Sequence, residues 1–328
     1  MRNSKVAVLG CGLIGASWAA LFATIGGCDV RAWDPSEAAR DDFLRKVDRA
    51  RAQLLALGAT EPGTAIGNGS TAATGIATAP GTVKAYAELD AALDSVEWVQ
   101  ENAPEDISLK ALLYRQVESF VGPDVILASS TSSFTWSQLA ASLTHPERFV
   151  VAHPFNPPHL IPLVELFSPN ASTLTRASEF FRGVGRVPVC LKREAIGHIG
   201  NRLSSALWRE AVNIVAEGIA DVGDIDKVLI HGPGLRWSIV GTHLGYHLGG
   251  GEGGIEHYLK HLGPSQERRW ASLGNPTLTP QLCEQIAQGV HAEAAGRSIA
   301  ELEQERDTQL IEVLRLRRAH PTIDSRQD

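Results

Sequence analysis

Cysteines are scarce in this chain, and their spacing carries no disulfide or metal signature. There are four of them, Cys11, Cys28, Cys190 and Cys283, and no two are separated as in a CxxC motif. A small secreted domain would be dense in cysteine, and a structural zinc site would pair its thiols at short spacings. The pattern therefore favours reduced thiols in a cytoplasmic protein and predicts no metal site.

Long apolar runs and an excess of positive charge are also missing. No segment approaches the ~18 uninterrupted apolar residues of a membrane-spanning helix. The chain passes directly from Met-Arg-Asn-Ser-Lys into a strand pattern, which is not typical of a signal peptide. The formal net charge is -7, whereas nonspecific nucleic-acid binding depends on positive charge. We therefore expect neither a membrane nor a nucleic acid as a partner.

The chain is long and apolar enough to bury a large core. It has 328 residues, of which 44% are hydrophobic and 20% charged, as in ordinary globular proteins of about two domains. Strand and helix patterns alternate up to about residue 192, and only helical periodicity follows. This order predicts an α/β fold, with a Rossmann-type doubly wound, mostly parallel sheet in residues 1–192 and an all-α C-terminal domain in residues 193–328.

A glycine motif follows the first strand pattern directly. The strand Lys5–Leu9 runs into Gly-Cys-Gly-Leu-Ile-Gly, and a helical pattern begins at Ala16. In this context the first glycine permits a tight turn, the second lets a pyrophosphate approach the backbone, and the third lets the helix pack on the strand. The helix N-terminus offers free N–H groups to the phosphates. The predicted dinucleotide contacts are Gly10, Gly12, Leu13, Ile14 and Gly15.

An acidic residue ends the second strand. The strand Asp29–Trp33 is followed by Asp34, about twenty residues past the last glycine of the motif. At this position, dinucleotide-binding domains of this fold bind the adenosine ribose. A carboxylate there accepts hydrogen bonds from both ribose hydroxyls and would repel a 2′-phosphate. Asp34 therefore predicts NAD, rather than NADP, as the cofactor.

A histidine and a glutamate lie in two successive apolar runs. Phe149–Ala152 ends at His153, and Leu163–Leu166 contains Glu165. A neutral imidazole can take up a proton near pH 7, and a carboxylate on its other ring nitrogen fixes the tautomer and stabilises the imidazolium. The alternative is that His153 is a hydrogen-bonded core histidine at a strand end. The spacing favours a His–Glu pair that acts as a general base.

Polar residues recur where predicted strands end. Val125–Ala128 is a buried strand followed by five consecutive hydroxyl residues, and another strand runs through residues 95–100. Ligands of doubly wound sheets bind beyond the C-terminal ends of the strands. The residues at such ends, which we expect to share one site, are Gly10, Asp34, Glu101, Ser132 and His153.

The last third of the chain has helical periodicity. Apolar residues recur at spacings of three, four and seven from Ile196 onward, and Asn201 and Trp208 lie on a neighbouring stripe. The glycine-rich stretch Gly232–Gly254 is expected to be a connection. Two further helices are predicted, over Thr279–Ala294 and Ser298–Arg318, and then a frayed tail, Pro321–Asp328.

With these residues placed, the sequence resembles the L-3-hydroxyacyl-CoA dehydrogenase superfamily along essentially its whole length. The shared motifs are GxGxxG at 10–15, Glu101, SSTSS at 129–133, HPFNPP at 153–158, PLVE at 162–165 and GNRL at 200–203. The resemblance implies His153 as the base, Glu165 as its partner, Ser132 as a hydroxyl contact and Asn201 as a polar contact. It also implies NAD bound partly by Glu101, and a homodimer formed through the helical domain.

Within the superfamily the chain is similar to the L-carnitine dehydrogenase branch and to the L-gulonate dehydrogenase and lambda-crystallin branch. The likeness to the first lies in Gly234–Trp237 and Gly249–Gly254. It implies NAD-dependent oxidation of the 3-hydroxyl of a small acid, L-carnitine to 3-dehydrocarnitine. Aromatic faces attract a quaternary ammonium. The candidate substrate contacts are Trp208, Arg236, Trp237 and Tyr246, with Trp270 as a further aromatic; each aromatic residue has a core role as its alternative.

Three alternatives stay open at this point. The first two are 3-hydroxybutyryl-CoA and L-gulonate as substrates. CoA phosphates normally recruit lysine or arginine, yet residues 58–83 contain neither, although Lys46, Arg49 and Arg51 remain available. Ser130 also stands where acyl-CoA members commonly have asparagine. The third alternative is a noncatalytic, crystallin-like relative, which would be expected to lose one of the four catalytic residues.

Overall fold

The computed structural model describes residues 4–58 and 80–320, and their fold is organised around one eight-stranded sheet. The strand order is β3-β2-β1-β4-β5-β6-β7-β8. Neighbouring strands are parallel except for β6 and β7, which are antiparallel. The strands are β1 (Lys5–Leu9), β2 (Asp29–Trp33), β3 (Val83–Tyr86), β4 (Trp98–Glu101), β5 (Ile126–Ser129), β6 (Phe149–Pro154), β7 (Leu163–Phe167) and β8 (Val187–Cys190).

The strand order reverses between β1 and β4. From β1 the chain winds outward to β2 and β3, then returns to place β4 on the other side of β1. Such a reversal opens a crevice at the C-terminal ends of the two central strands, where doubly wound proteins bind their ligands. Gly10 follows β1 and Glu101 ends β4, so both lie at this crevice.

Helices cover both faces of the sheet because the central strands are apolar on both sides. Along β1, Val6 and Val8 pack in one core with Trp18, whereas Ala7 and Leu9 pack in the other, as the two-residue period of a strand requires. The helices of this part are α1 (Leu13–Thr24), α2 (Glu37–Ala56), α3 (Leu89–Leu93), α4 (Ile107–Phe120), α5 (Trp136–Ala140) and α6 (Ala171–Gly183).

The described chain divides into two compact units. The first contains the described residues up to Asn201 together with Gln309–Arg318, and the second contains Arg202–Thr308. A small core of Val212, Val215, Ile225 and Leu282 lies in the second unit. The remaining helices are α7 (Gly200–Ala216), α8 (Val222–His231), α9 (Pro233–Trp237), α10 (Thr242–Gly249), α11 (Gly254–Ser272), α12 (Pro280–Ala294) and α13 (Ile299–Ala319).

The predicted fold class is confirmed, and three local expectations need correction. The stretch Gly232–Gly254 is not a plain connection, because it forms α9, α10 and a short 3₁₀ turn. Helix α7 begins only at Gly200, so Ile196 and Ile199 precede it and are exposed. Strand β3 was not expected.

Two expectations cannot be compared with the structure. The tail Pro321–Asp328 and most of the region without lysine or arginine, residues 58–83, lie outside the described residues. Within residues 4–58 and 80–320, none of the helices combines the length and apolar character needed to cross a bilayer.

Candidate active site

Each of the three glycines of the first turn is suited to its position for a different structural reason. Gly10 has a φ of +99°, and a Cβ there would lie 2.7 Å from the Asn102 carbonyl oxygen. A Cβ on Gly15 would lie 1.9 Å from the Gly10 carbonyl oxygen, so only glycine allows this contact of α1 with the turn. A Cβ on Gly12 would meet nothing within 4 Å. Gly12 therefore faces open space in which a phosphate can approach the backbone.

The start of α1 is suited to an anion. Leu13 and Ile14 open the helix, its first turn contains no acidic residue, and Gly12 offers no side-chain cap. The first N–H groups of a helix lack acceptors within it and carry partial positive charge. Burial, with the nearby Asp34, raises the pKa of the Cys11 thiol in the same turn to about 12, so Cys11 is an inert thiol.

Asp34 lies beside this turn at the end of β2. One carboxylate oxygen accepts a hydrogen bond from the Cys11 backbone N–H at 2.9 Å, and the other accepts one from the Ser36 N–H at 2.9 Å. The two bonds hold the carboxylate at the C-terminal edge of the sheet, next to the glycines. Together the open backbone at Gly12, the free helix N-terminus and this carboxylate fit the phosphates and ribose of NAD.

Glu101 was predicted to contact the cofactor, but its side chain faces the protein interior. Its side chain is completely buried. One oxygen accepts bonds from Lys110 Nζ and the Ala103 N–H, and the other from the Tyr114 and Ser129 hydroxyls, all at 2.6 to 2.7 Å. These partners occupy the carboxylate, so the side chain of Glu101 organises the protein under the crevice instead of facing a nucleotide.

Ser130 is the centre of a second internal network. Its hydroxyl accepts hydrogen bonds from Trp18 Nε1 at 3.1 Å and Gln100 Nε2 at 2.9 Å, and it donates one to Asn102 Oδ1 at 2.7 Å. A hydroxyl has one proton to donate, and here that proton is used. Ser130 thus ties β5 to α1 and to the segment after β4.

Glu105 holds the hydroxyl cluster, Ser129–Ser133, in place. One of its oxygens accepts bonds from the Thr131 hydroxyl at 2.6 Å, the Ser132 N–H at 2.9 Å, and the Ser133 N–H and hydroxyl at 2.9 and 2.8 Å. Burial opposes ionisation, but the bonds from Thr131 and Ser133, together with Lys110, outweigh it and lower the pKa of Glu105 to about 2. Ser132 and Ser133 are both exposed, but the Ser132 hydroxyl is 3.5 Å from Glu105 whereas that of Ser133 is at 2.8 Å. The Ser132 hydroxyl is therefore the less tightly held of the two.

His153 and Glu165 face each other directly across an antiparallel strand pair. The register of β6 and β7 pairs the two residues, and directly opposed residues point their side chains to the same face of a sheet. His153 Nδ1 lies 2.9 Å from Glu165 Oε2, and both side chains are buried. The sequence places both residues in apolar strands, and the register brings them together.

The second oxygen of Glu165 is also occupied. Glu165 Oε1 accepts hydrogen bonds from the Ile199 and Gly200 N–H groups at 2.8 and 2.9 Å. Burial would raise the pKa of Glu165, but the bond from His153 and these two N–H groups outweigh it and lower the pKa. An ionised Glu165 can only accept a hydrogen bond, so His153 Nδ1 carries the proton and donates in this bond. In the neutral ring, Nε2 is then the unprotonated nitrogen and can accept a proton.

Asn201 lies at the free nitrogen of His153. Its Nδ2 is 3.4 Å from His153 Nε2 and donates to the Ser132 carbonyl oxygen at 3.3 Å. The structure therefore brings together all four residues predicted as catalytic: His153, Glu165, Ser132 and Asn201. Two neighbours of this group were not predicted. They are Glu105, which lies in a polar loop, and His198, whose buried ring packs at a tilt against that of His153 with the centroids 4.7 Å apart.

The predicted substrate contacts lie in the second unit, and none is part of a core. Trp208 is on α7, Arg236 and Trp237 are on α9, and Tyr246 is on α10. Trp208 is 57% exposed, Trp237 45% and Tyr246 41%. Their alternative as core aromatics therefore does not hold. Among the residues that the structure describes, no His, Cys, Asp and Glu side chains are grouped in a way that could hold a metal ion.

Two family models match consecutive parts of the chain. The model described as 3-hydroxyacyl-CoA dehydrogenase, NAD binding domain, matches residues 5–195, and the corresponding C-terminal domain matches residues 197–295. The chain belongs to the 3-hydroxyacyl-CoA dehydrogenase family. As a member of this family it is an NAD-dependent oxidoreductase.

Relatives of this family member are similar over nearly its whole length. It is 40% identical to an L-carnitine dehydrogenase of Streptomyces coelicolor over 98% of each chain. It is 35% identical to one of Oceanobacillus iheyensis over 95% of this chain and 97% of the relative. The structure of 5-formyl-3-hydroxy-2-methylpyridine 4-carboxylic acid 5-dehydrogenase, an NAD+ dependent dismutase, matches with a TM-score of 0.78 and 28% identity, over 96% of this chain and 98% of that one.

Proposed function

We propose that the protein oxidises the C3 hydroxyl of L-carnitine to 3-dehydrocarnitine, with NAD as the hydride acceptor. The observation that carries the chemistry is the buried bond between His153 Nδ1 and Glu165, which leaves Nε2 free to accept a proton. The choice of substrate is supported by the near full-length similarity, at 35 to 40% identity, to several proteins named L-carnitine dehydrogenase. L-Gulonate, 3-hydroxybutyrate and 3-hydroxybutyryl-CoA are the alternative substrates with which L-carnitine is to be compared.

In this proposal His153 acts as the general base. Its Nε2 takes the proton of the substrate hydroxyl as a hydride leaves C3, and NAD supplies the hydride acceptor when it is bound at the glycine turn and Asp34. Glu165 holds the ring and stabilises the imidazolium that forms, because its own carboxylate stays ionised. A positioned base of this kind contributes ~10² to 10⁴ in rate.

Asn201 and Ser132 orient the reacting oxygen in the same proposal. Asn201 Nδ2 lies beside the Nε2 of His153 and can donate to an oxygen that develops negative charge. The exposed hydroxyl of Ser132 is fixed in position by its backbone bond to Glu105. Donors held in place before the reaction stabilise such charge without reorganisation.

We assign recognition of the quaternary ammonium to aromatic residues of the second unit. Trp208, Trp237 and Tyr246 expose their rings, and Trp270 is a further exposed candidate. Trp208 follows Asn201 by seven residues, so the two lie on the same face of α7 about two turns apart. The exposed Arg236 can pair with the substrate carboxylate.

A panel of hydroxy acids tests the substrate. We expect kcat/KM for L-carnitine to exceed that for L-gulonate, 3-hydroxybutyrate and 3-hydroxybutyryl-CoA by at least about tenfold. Trp237→Ala should lower kcat/KM for L-carnitine between about twofold and thirtyfold, the range of one cation–π contact. 3-Hydroxybutyrate lacks the ammonium, so its kcat/KM should not change in the same variant. Faster turnover of the CoA thioester would contradict the assignment.

We further propose that the protein is a cytoplasmic homodimer that pairs through its second unit. Pairing is supported by large apolar side chains that the single chain leaves exposed on this unit: Leu203, Leu207, Ile219, Val228 and Ile230. An apolar surface of this kind is typical of a subunit interface. The cytoplasmic location is supported by the small number of cysteines and by the absence of any CxxC spacing among them, as expected in a reducing compartment, and cell fractionation tests it.

A further inference from the structure

His198 is a second buried imidazole next to the proposed base. It belongs to the segment between β8 and α7, and its ring is tilted by 33° against that of His153, with the centroids 4.7 Å apart. The residue is 3% exposed. Its backbone φ of +51° lies in the left-handed region, which non-glycine residues adopt at a cost. The fold thus holds this ring against His153 despite local backbone strain.

His198 and Asn201 connect the same two parts of the site. His198 Nε2 lies 3.3 Å from the Thr131 carbonyl oxygen, so this nitrogen carries a proton and donates it. Asn201 Nδ2 donates to the next carbonyl oxygen, that of Ser132. Each side chain also contacts His153, His198 through its ring and Asn201 at Nε2. Together they join the base to the hydroxyl cluster.

The surroundings of His198 favour its neutral form. The titratable groups around it are His153 on β6, Glu165 on β7 and Glu105 in the loop after β4. Burial, followed by the neighbouring His153, lowers the pKa of His198, while the Thr131 carbonyl, Glu165 and Glu105 oppose the shift without reversing it. Two adjacent imidazolium rings would repel each other, whereas a neutral aromatic face attracts a cation.

We infer that His198 is a positioning residue that holds the ring of His153 and stacks, uncharged, on the imidazolium formed during the reaction. This inference rests on the proposed function, because it takes His153 to be the proton acceptor. His198 acts through His153 and through the Thr131 backbone. Substitution of His198 is therefore expected to change the rate of the chemical step and to leave NAD binding unchanged.

Two variants separate the ring from its hydrogen bond. His198→Phe keeps an aromatic face and loses the donor, whereas His198→Asn suits the left-handed backbone and keeps a donor but loses the ring. We expect kcat to stay within about threefold in His198→Phe and to fall about tenfold in His198→Asn, with the Kd of NADH unchanged in both. The exposed His145 provides a matched control, His145→Ala, which should retain wild-type kcat.

Two results of this series would overturn the inference. One is a wild-type kcat in His198→Asn, and the other is an equal loss of kcat in His198→Phe and His198→Asn. The assay uses whichever hydroxy acid the wild type turns over fastest, so a wrong assignment of carnitine does not affect the result. His153→Ala is included because retained kcat in that variant would show that the proposed base, and not only the role of His198, is wrong.

Nitrogen NMR of the histidine rings tests the protonation state of His198 without turnover. We expect the ring of His198 to stay in the neutral form, with the proton on Nε2, throughout the pH range in which kcat rises. The signal that is missing from the His198→Phe spectrum identifies His198 among the eleven histidines, and the signal that is missing from the His198→Asn spectrum serves the same purpose if His198→Phe does not fold. Uptake of a proton by His198 over this pH range would contradict the inference.

Discussion

At the scale of single residues, the site depends on carboxylates whose charge is maintained by specific partners. Glu165 is ionised because His153 and two backbone N–H groups outweigh its burial. Asp34 is held by the N–H groups of Cys11 and Ser36. In the proposed function, Glu165 stabilises the imidazolium and Asp34 binds the ribose. Neutral isosteric substitutions therefore test both functions directly.

Asp34 should determine the choice between the two nicotinamide cofactors. The wild type is expected to use NAD with a kcat/KM at least about a hundredfold above that for NADP, because a 2′-phosphate would meet the carboxylate at close range. Asp34→Asn should narrow this ratio, mainly by lowering the KM for NADP. The exposed neighbour Asp41 gives a control with the same change of charge, Asp41→Asn. A wild-type ratio near one would contradict the role of Asp34.

His153 should be needed for turnover and not for cofactor binding. His153→Ala is expected to lower kcat by at least about a hundredfold, since the positioned base is lost. The Kd of NADH, measured by fluorescence titration, should stay within about twofold, because the dinucleotide contacts lie at the glycine turn and Asp34. A large rise in this Kd with little change of kcat would assign His153 to binding instead.

Sequence reasoning found the residues of the site that lie in strands and missed those that lie between them. His153 and Glu165 stand in apolar runs, so their strands, and with them a cross-strand contact, were predictable. Glu105 follows a proline in a polar loop, and only its bonds to Thr131, Ser132 and Ser133 mark it as part of the site. His198 gave no periodic signal, because its contact with His153 depends on how the segment before α7 folds back.

At the scale of elements, the alternation of strands and helices up to about residue 192 is as predicted apart from β3, because the central strands are apolar on both faces. Strand β3 was missed since Val-Lys-Ala-Tyr is short and carries a charge, and in the described part of the chain it pairs with β2 alone, at the edge of the sheet. The stretch Gly232–Gly254 was misjudged because most of its glycines lie at or next to helix ends, where Gly251 and Gly254 adopt positive φ values. Glycine content alone does not distinguish such ends from a loop.

The segment after β5 should owe part of its stability to the charge of Glu105. The Glu105 pKa is about 2 in the folded protein against 4.5 for an unperturbed glutamate. A lowered folded-state pKa contributes stability that is complete above pH 4.5 and is lost as the pH falls toward 2. In urea unfolding, the free energy of unfolding of wild type should therefore exceed that of Glu105→Gln above about pH 4.5. The difference between the two free energies should narrow at lower pH.

An exposed glutamate supplies the control for this measurement. The side chain of Glu147 forms an exposed ion pair with His145, and such pairs contribute little to stability. The free energy of unfolding of Glu147→Gln should therefore equal that of wild type at every pH. A gap between wild type and Glu105→Gln that stays constant from neutral pH down to about pH 3 would show that shape, and not charge, is what Glu105 provides.

At the scale of the whole molecule, the predicted dimer is the property that needs its own experiment. Light scattering at micromolar concentration should give a mass of twice the chain mass of 35.2 kDa. Leu203→Glu should increase the monomer fraction, because a buried unpaired charge opposes an apolar interface. Leu55 lies on α2 and is 56% exposed, against 64% for Leu203, and it provides the control Leu55→Glu. A wild-type protein that is monomeric at this concentration would contradict the proposal.

The central claim is that the His153–Glu165 pair accepts the substrate proton, and the pH dependence of kcat in Glu165→Gln tests it most directly. In the oxidation direction, wild-type kcat should rise with pH through a single inflection and then level off, since the free base is the active form. Glu165→Gln should have a lower kcat, and its inflection should lie at lower pH, because the imidazolium loses the charge that favours it. An unchanged inflection together with near-wild-type turnover would contradict the account and would leave Glu165 with a structural role only.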